Sequence, residues 1–478
     1  METEEALQEQ SIAPSSPSPL VPLFEAQRRM HLLQGGLSVP RRKEALASLA
    51  QALSSRQDAL LQALEADLGK SPAIESLLAE VILLAQEART ARKSLRGWMR
   101  PQKVKTRFWS LGARARVFWE PKGVVGIWGG QIWPVYQTLS PLISALAAGN
   151  RVMALPSPLA PRTAEAMKAL VQACLDPEEV LIVDGKNHGE AFARLPFDFL
   201  FAMDADQKAQ DALRLALANL TPLAWFSGGK SPALVLPGYP LQRAADRIVT
   251  GKCFLAGQSP WAVDHVWVPR EEEEAFANAV MDVLLHRYSS LRESPDFARI
   301  FSEGRHKKIS ALLADAARKG ARIWQANPQK EEFIEKDRLV PPTLVLQVRE
   351  GMRLLKEEIL GPVLPICTYA NVDEALSFLR RLPPMPALYV FGTRKKDIAQ
   401  VLRSVPAASV SVNRVFSQVF DERLPLSGTA AWRAQAGFEA FSKPKAVLFP
   451  GWGSLFSFIK PPYSRRLMKF LSWRIRRF

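Results

Sequence analysis

The chain has 478 residues, three cysteines and a formal net charge of +16. This length supports two or three packed domains, and three cysteines far apart in sequence exclude a disulfide framework. With no N-terminal apolar signal and no apolar run long enough to cross a bilayer, a cytoplasmic protein is expected.

The first 20 residues include Ser11-Ile12-Ala13-Pro14-Ser15-Ser16-Pro17-Ser18-Pro19-Leu20 and read as a disordered lead-in. From Phe24 to about Trp98, leucines at 46, 49, 53, 60, 61, 64 and 68 recur at helical spacing, and a second run follows through Val81, Leu83, Leu84 and Ala88. A β-prone stretch, Ala115 to Glu120, precedes an alternation of apolar strands at 124–128, 152–155, 180–183 and 199–203 with helices at 136–148, 162–174 and 206–218. Such alternation predicts a parallel sheet covered by helices on both faces. A second block begins at Val266, with strands at 266–269, 343–348, 363–369, 387–392 and 408–412 and helices at 305–318, 372–380 and 395–404. The acidic run Glu271 to Glu274 reads as a solvated helix N-terminus, not a metal site. The expected fold is α/β with two domains. The expected boundaries are 21–225 for N-terminal helices and a Rossmann-like domain, 226–430 for the second domain, 431–463 for a bridging or oligomerisation β-segment, and 464–478 for a basic tail.

Several motifs lie in order along this frame: Pro121-Lys122-Gly123-Val124-Val125-Gly126-Ile127, Pro141 to Asn150, Gly228-Gly229-Lys230-Ser231-Pro232, Glu357 to Pro365, and Ala387 to Phe391. From about Phe24 to Arg466 the chain resembles the aldehyde dehydrogenase superfamily, most closely the family 3 branch that includes fatty aldehyde dehydrogenase. The resemblance implies a nucleophilic cysteine after Gly257-Gln258-Ser259, where Pro260 stands. It implies a general-base glutamate where Phe226 stands and an oxyanion-binding asparagine where Ile132 stands. None of these side chains can attack a carbonyl, take a proton or donate to an oxyanion.

The implied NAD or NADP site is also altered. The family's Lys-Pro-Ser-Glu appears as Leu155-Pro156-Ser157-Pro158, and its Gly-rich turn as Asp204-Ala205-Asp206-Gln207-Lys208-Ala209. Glu358 keeps the place used for the nicotinamide ribose. Cys253 lies seven positions before Pro260 and reads as a buried, unreactive thiol, Ser259 as a turn residue, and His31, His188, His265, His286 and His306 as mostly surface residues. The expectation is therefore a family member that has lost aldehyde oxidation and acts by binding or assembly. The alternative is an active NAD(P)-dependent fatty aldehyde dehydrogenase with a displaced nucleophile.

After Glu439 no acidic residue occurs, while Lys443, Lys445, Lys460, Arg465, Arg466, Lys469, Arg474, Arg476 and Arg477 follow. On a helical projection Leu467, Met468, Leu471, Ile475 and Phe478 share one apolar arc, with Lys469, Arg476 and Arg477 outside it and Phe470, Trp473 and Arg474 less cleanly placed. A short cationic amphipathic helix of this kind is expected to lie on an anionic membrane surface. No nucleic-acid-binding motif accompanies the charge, and the resemblance implies a homodimer.

Overall fold

The computed structural model describes residues 18–106, 112–184, 188–203, 207–226, 228–426, 428–451 and 461–475. The expected lead-in at 1–17, the Asp204-Ala205-Asp206 turn, and Arg476 and Arg477 lie outside these residues.

The N-terminal layer is helical: α1 (Leu20–Gln34), α2 (Val39–Ser55), α3 (Gln57–Leu68), α4 (Ala73–Leu77), a π-helical turn over Leu78–Ile82 and α5 (Leu83–Trp98). α1 thus begins at the buried Leu20, the last residue of the expected 1–20 lead-in. α2 starts at Ser38, whose hydroxyl accepts the Arg41 N–H. Its stripe of Leu46, Leu49 and Leu53 is wholly buried, each side chain contributing roughly 1.5–3 kcal/mol of burial.

β1 (Gln102–Val104) and β2 (Arg114–Pro121) form an antiparallel pair. The first parallel unit follows as β3 (Val124–Trp128), α6 (Pro134–Ala148), β4 (Arg151–Leu155), α7 (Pro161–Gln172), β5 (Val180–Ile182), α8 (Gly189–Ala193), β6 (Phe199–Met203), α9 (Gln207–Ala218) and β7 (Leu223–Phe226). Its strand order, β5-β4-β3-β6-β7, reverses direction between β3 and β6. α6 is buried along its entire length, consistent with a residue pattern that is apolar all round.

The second unit runs β8 (Ala233–Val235), α10 (Leu241–Cys253), β9 (Val266–Pro269), α11 (Glu273–Arg287), α12 (Glu303–Arg318), β10 (Arg322–Gln325), β11 (Thr343–Leu346), α13 (Arg353–Lys356), β12 (Val363–Tyr369), α14 (Val372–Arg381), β13 (Leu388–Phe391), α15 (Lys395–Ser404) and β14 (Val410–Val412). These strands order as β10-β11-β12-β9-β8-β13-β14, with only the edge strand β10 antiparallel. After α16 (Ser417–Phe420) and α17 (Ala434–Ala440) the chain returns as β15 (Ser442–Phe449), pairing with β2 along eight residues, and ends in α18 (Arg465–Ile475). The α/β architecture with two parallel-sheet domains is as expected. Strands β7, β8 and β10, of three or four residues each, were not anticipated.

Candidate active site

Three loops meet at the N-terminal edge of the second sheet. Gly228-Gly229-Lys230 leads into β8, Gly257-Gln258-Ser259-Pro260 precedes β9, and Glu358-Ile359-Leu360-Gly361 precedes β12. Gly229 N donates to Glu358 Oε1 at 3.0 Å, and a Cβ on Gly228 would lie 2.6 Å from that oxygen, so only glycine lets the carboxylate approach. Gln258 is pinned on both ends of its amide, accepting from Phe301 N at 2.8 Å and donating to the Leu255 and Arg299 carbonyls at 2.9 Å each. Ser231 Oγ donates to the Pro260 carbonyl at 2.7 Å.

Phe226 and the chain neighbours of Pro260 and Ile132, Trp261 and Trp133, meet in one aromatic cluster. Phe226, at the end of β7, stacks on Trp261 with centroids 5.7 Å apart and planes 12° apart. Trp133, beside Ile132, lies 5.5 Å from Trp261, 6.0 Å from Phe254 and 6.2 Å from Phe416, and Trp432 lies 4.9 Å from Phe226. A cavity of about 50 Å³ opens beside this cluster, lined by Glu80, Ile132, Trp133, Leu255, Gln258 and Phe301 among others. The indole N–H of Trp133 is buried with no hydrogen-bond partner among the described residues, as are both polar atoms of the Gln137 side chain one helical turn on. Orphan polar atoms of this kind mark a place for a polar partner.

Backbone strain collects here too. Trp133, Leu255, Ala256, Leu360 and Phe416 are all left-handed at φ of 47–62°, a conformation costing on the order of 1–3 kcal/mol per residue that tends to cluster at functional sites.

Beneath the loops is a buried charge cluster that sequence alone did not single out. Lys230 pairs with Asp264, donates to the Glu357 carbonyl at 2.8 Å and to the Leu354 carbonyl at 2.5 Å. Asp264 also faces His265 Nδ1 at 3.2 Å. Burial alone would raise the Asp264 carboxyl, but Lys230, His265 and Lys252 together hold it below its ordinary value. Burial lowers His265, which is fully enclosed and so is not among the histidines expected at the surface. Lys252 is brought down to about 8 by burial, against the pull of Asp264.

The Cys253 thiol ends α10 next to this cluster. Burial pushes it up to about 12, with the Tyr288 hydroxyl hydrogen-bonded to it and Glu75 within electrostatic reach. Glu75 accepts the Leu255 N–H at 2.7 Å and is raised by burial to about 7. Tyr288 and Glu75 come from elements far apart in sequence, with no local motif to announce them.

The aldehyde dehydrogenase family profile matches residues 25–446. The chain belongs to the aldehyde dehydrogenase family. It is 33% identical over 472 residues to a Caulobacter vibrioides protein named probable coniferyl aldehyde dehydrogenase, covering 95% of this chain and 96% of that protein. It is 30% identical to mouse aldehyde dehydrogenase family 3 member B3 over 91% of this chain and 90% of that one. A solved structure described as the substrate-bound state of Staphylococcus aureus AldH superposes with a TM-score of 0.86 at 26% identity, covering 95% of this chain and 99% of that one.

These relatives overturn the expectation that aldehyde oxidation has been lost. Family members similar across nearly the whole chain carry dehydrogenase names, and the active alternative fits them better. The physical reason is that three side chains do not exhaust an active site. Binding, exclusion of water and positioning are spread over the fold and sustain much catalysis when one group is removed, and the chain retains a thiol, an acid raised toward neutrality and an orphan donor around the same loops.

In open parallel sheets ligands sit outside the C-terminal ends of the strands where the order reverses, here β3 and β6, so a dinucleotide would be held there. Trp128 ends β3 there, and a Cβ on Gly189 would lie 2.9 Å from its ring. Ser157 is buried after β4, its hydroxyl accepting the Leu159 N–H at 3.2 Å. Leu155 beside it is apolar and buried, so the ribose would be held through hydroxyl and backbone groups and Glu358, without a lysine. The donor set fits the dinucleotide on these terms.

Proposed function

We propose that this protein is an NAD- or NADP-dependent aldehyde dehydrogenase of the family 3 type that oxidises hydrophobic aldehydes, aromatic propenals or fatty aldehydes, to carboxylic acids. The buried, unpartnered indole N–H of Trp133, a residue that lines a largely apolar cavity with Leu64, Leu68, Ile132, Leu255 and Phe301, carries this reading. It sits one residue from Ile132, so the carbonyl-oxygen donor implied at 132 is supplied from 133. Cys253 is the displaced nucleophile and Glu75, near neutrality, the group that takes its proton as sulfur adds to the aldehyde carbon. The dinucleotide, held at the β3–β6 crevice and by Glu358, supplies the hydride acceptor. The thiol faces a void of about 10 Å³ shared with Val249, Val280 and Leu344, so the strained Phe254–Gly257 turn must swing for sulfur to reach the cavity. Water entering the opened cavity then attacks the acyl carbon, releasing the carboxylic acid and restoring the Cys253 thiol, while Phe226 packs behind Trp261.

Two further features accompany this reading. The three-stranded sheet β1-β2-β15 exposes Val104, Leu448 and Phe449, which supports its use as the seam of a homodimer. α18 exposes Met468 at 61% and Trp473 at 45% beside Arg465, Arg466 and Lys469, which supports docking on an anionic membrane surface. No helix among the described residues is long and apolar enough to cross a membrane.

The test is NAD(P)H formation with coniferyl aldehyde and a long-chain aldehyde. Activity in the native chain that falls at least about 100-fold in Cys253→Ser and about 10-fold in Trp133→Phe supports the assignment. Activity that survives Cys253→Ser overturns the nucleophile.

A further inference from the structure

A second cleft lies at the opposite edge of the same sheet. Tyr239, Pro240, Arg243, Arg247, Gly392, Thr393, Asn413 and Arg414 line an open hollow of about 440 Å³. These residues follow the C-terminal ends of β8, β13 and β14, whereas the candidate active-site loops precede β8, β9 and β12.

Topology explains the hollow. β8 feeds α10 toward β9 on one side, and β13 feeds α15 toward β14 on the other. The two helices cover opposite faces: Ala244, Ile248 and Val249 of α10 pack with Val235 and Phe391, while Val401 of α15 packs with Leu234 and Val390. The connections therefore splay between β8 and β13, and such a switch point is where open α/β sheets take ligands.

The chemistry of the lining is one-sided. Three guanidiniums face it and no Asp or Glu lines it. Arg247 is set in place through one nitrogen, its Nη1 donating to the Tyr239 hydroxyl and the Asn413 carbonyl at 2.6 Å each. Asn413, left-handed at φ 55°, fixes the loop after β13 by exchanging two 2.9 Å bonds with the backbone of Gly392. Among the described residues Arg243 and Arg414 have no ion-pair or hydrogen-bond partner, and the nearby Asp246 and Asp397 are taken by Arg287 and Arg394. α10 begins one residue after Pro240 and α15 two residues after Thr393, both without a side-chain cap, so two helix N-termini add to the field at this end of the sheet.

We propose that this cleft binds a phosphate-bearing small molecule, its phosphate held by Arg243, Arg247 and Arg414 and its organic part against Tyr239 and Pro240. Planar guanidiniums match phosphate oxygens in pairs, and the hollow exceeds what inorganic phosphate would fill. The site is independent of the dehydrogenase reading.

The test is calorimetric titration and thermal denaturation of the full-length protein with inorganic phosphate and with ribose 5-phosphate, against chloride at matched ionic strength. Binding of either probe that weakens about tenfold or more in Arg243→Ala/Arg414→Ala, with NAD(P)H formation unchanged, supports the site. The stronger probe distinguishes a free phosphate from a phosphate monoester. Arg247→Met, which leaves the exposed pair intact, should weaken binding by a similar factor. No binding beyond chloride, or affinity unchanged in the double variant, overturns the proposal. A change of oligomer mass in the double variant without a change in phosphate affinity also overturns it, since the cleft would then be covered by a second copy.

Discussion

Lys230→Met would break the buried ion pair beneath the candidate active-site loops. Lys230 is 2% exposed and its ammonium serves Asp264 and the carbonyls of Leu354 and Glu357. Methionine fills the volume but leaves the Asp264 carboxylate facing His265 and Lys252 without its nearest cation. Removing one member of a buried pair costs about 3–5 kcal/mol, roughly 6–20 °C of melting temperature in a domain of about 200 residues. In the native chain Asp264 lies below its ordinary 3.8. Its contribution is therefore fully present above that value and is lost only as pH falls through the lower folded value. Without Lys230, burial raises the carboxyl, so acidification protonates it and the variant's deficit shrinks as pH falls from 7 toward about 4. Scanning calorimetry of both proteins across that window measures the effect. Lys230→Met/Asp264→Leu should recover at least half of the loss, because the buried carboxylate is gone and Lys252, already brought to about 8 by burial, can give up its proton once Asp264 no longer pulls on it. A deficit below about 1 kcal/mol, or one that does not change with pH, refutes the reasoning.

Glu80, fully enclosed, accepts the Tyr136 N–H at 2.8 Å and is raised by burial to about 8. The folded state holds that proton between about 4.5 and 8 while the unfolded state releases it, so stability falls as pH rises through the window. Glu80→Gln keeps the acceptor and should flatten the slope by roughly 2–4 kcal/mol in chemical unfolding. Gly257→Ala should destabilise by about 2–4 kcal/mol, since φ is 72° and its Cβ would meet the Gly361 carbonyl at 2.5 Å; an unchanged midpoint would count against the strained turn. Truncation after Tyr463 should abolish salt-sensitive flotation with phosphatidylserine vesicles while leaving NAD(P)H formation intact.

Much of the architecture was legible from residue pattern. The strands at 124–128, 199–203, 266–269 and 363–369 and the helix at 395–404 were expected where they occur, because each is an uninterrupted apolar run or an amphipathic period. The equally short β7 and β8 were not, because Pro222 and Pro232 directly before them read as turn residues. At the site, Pro260, Phe226 and Ile132 were singled out through motifs, and Phe226 meets Trp261 and Trp261 meets Trp133, the chain neighbours of the other two. Glu75, Tyr288, Trp133 and the Lys230–Asp264–His265–Lys252 cluster were missed, since their meaning lies in burial and in contacts between distant segments, which single-sequence spacing does not carry. The functional expectation failed for a related reason. It weighed three side chains at fixed positions, whereas the capacity for the reaction depends on what surrounds the cavity.

The measurement closest to the central claim is steady-state NAD(P)H formation by the purified full-length chain with coniferyl aldehyde and with a long-chain aldehyde, in parallel with Cys253→Ser. The account predicts turnover with at least one aldehyde, and its loss in the variant. No turnover by the native chain with either aldehyde, using NAD or NADP, would contradict it.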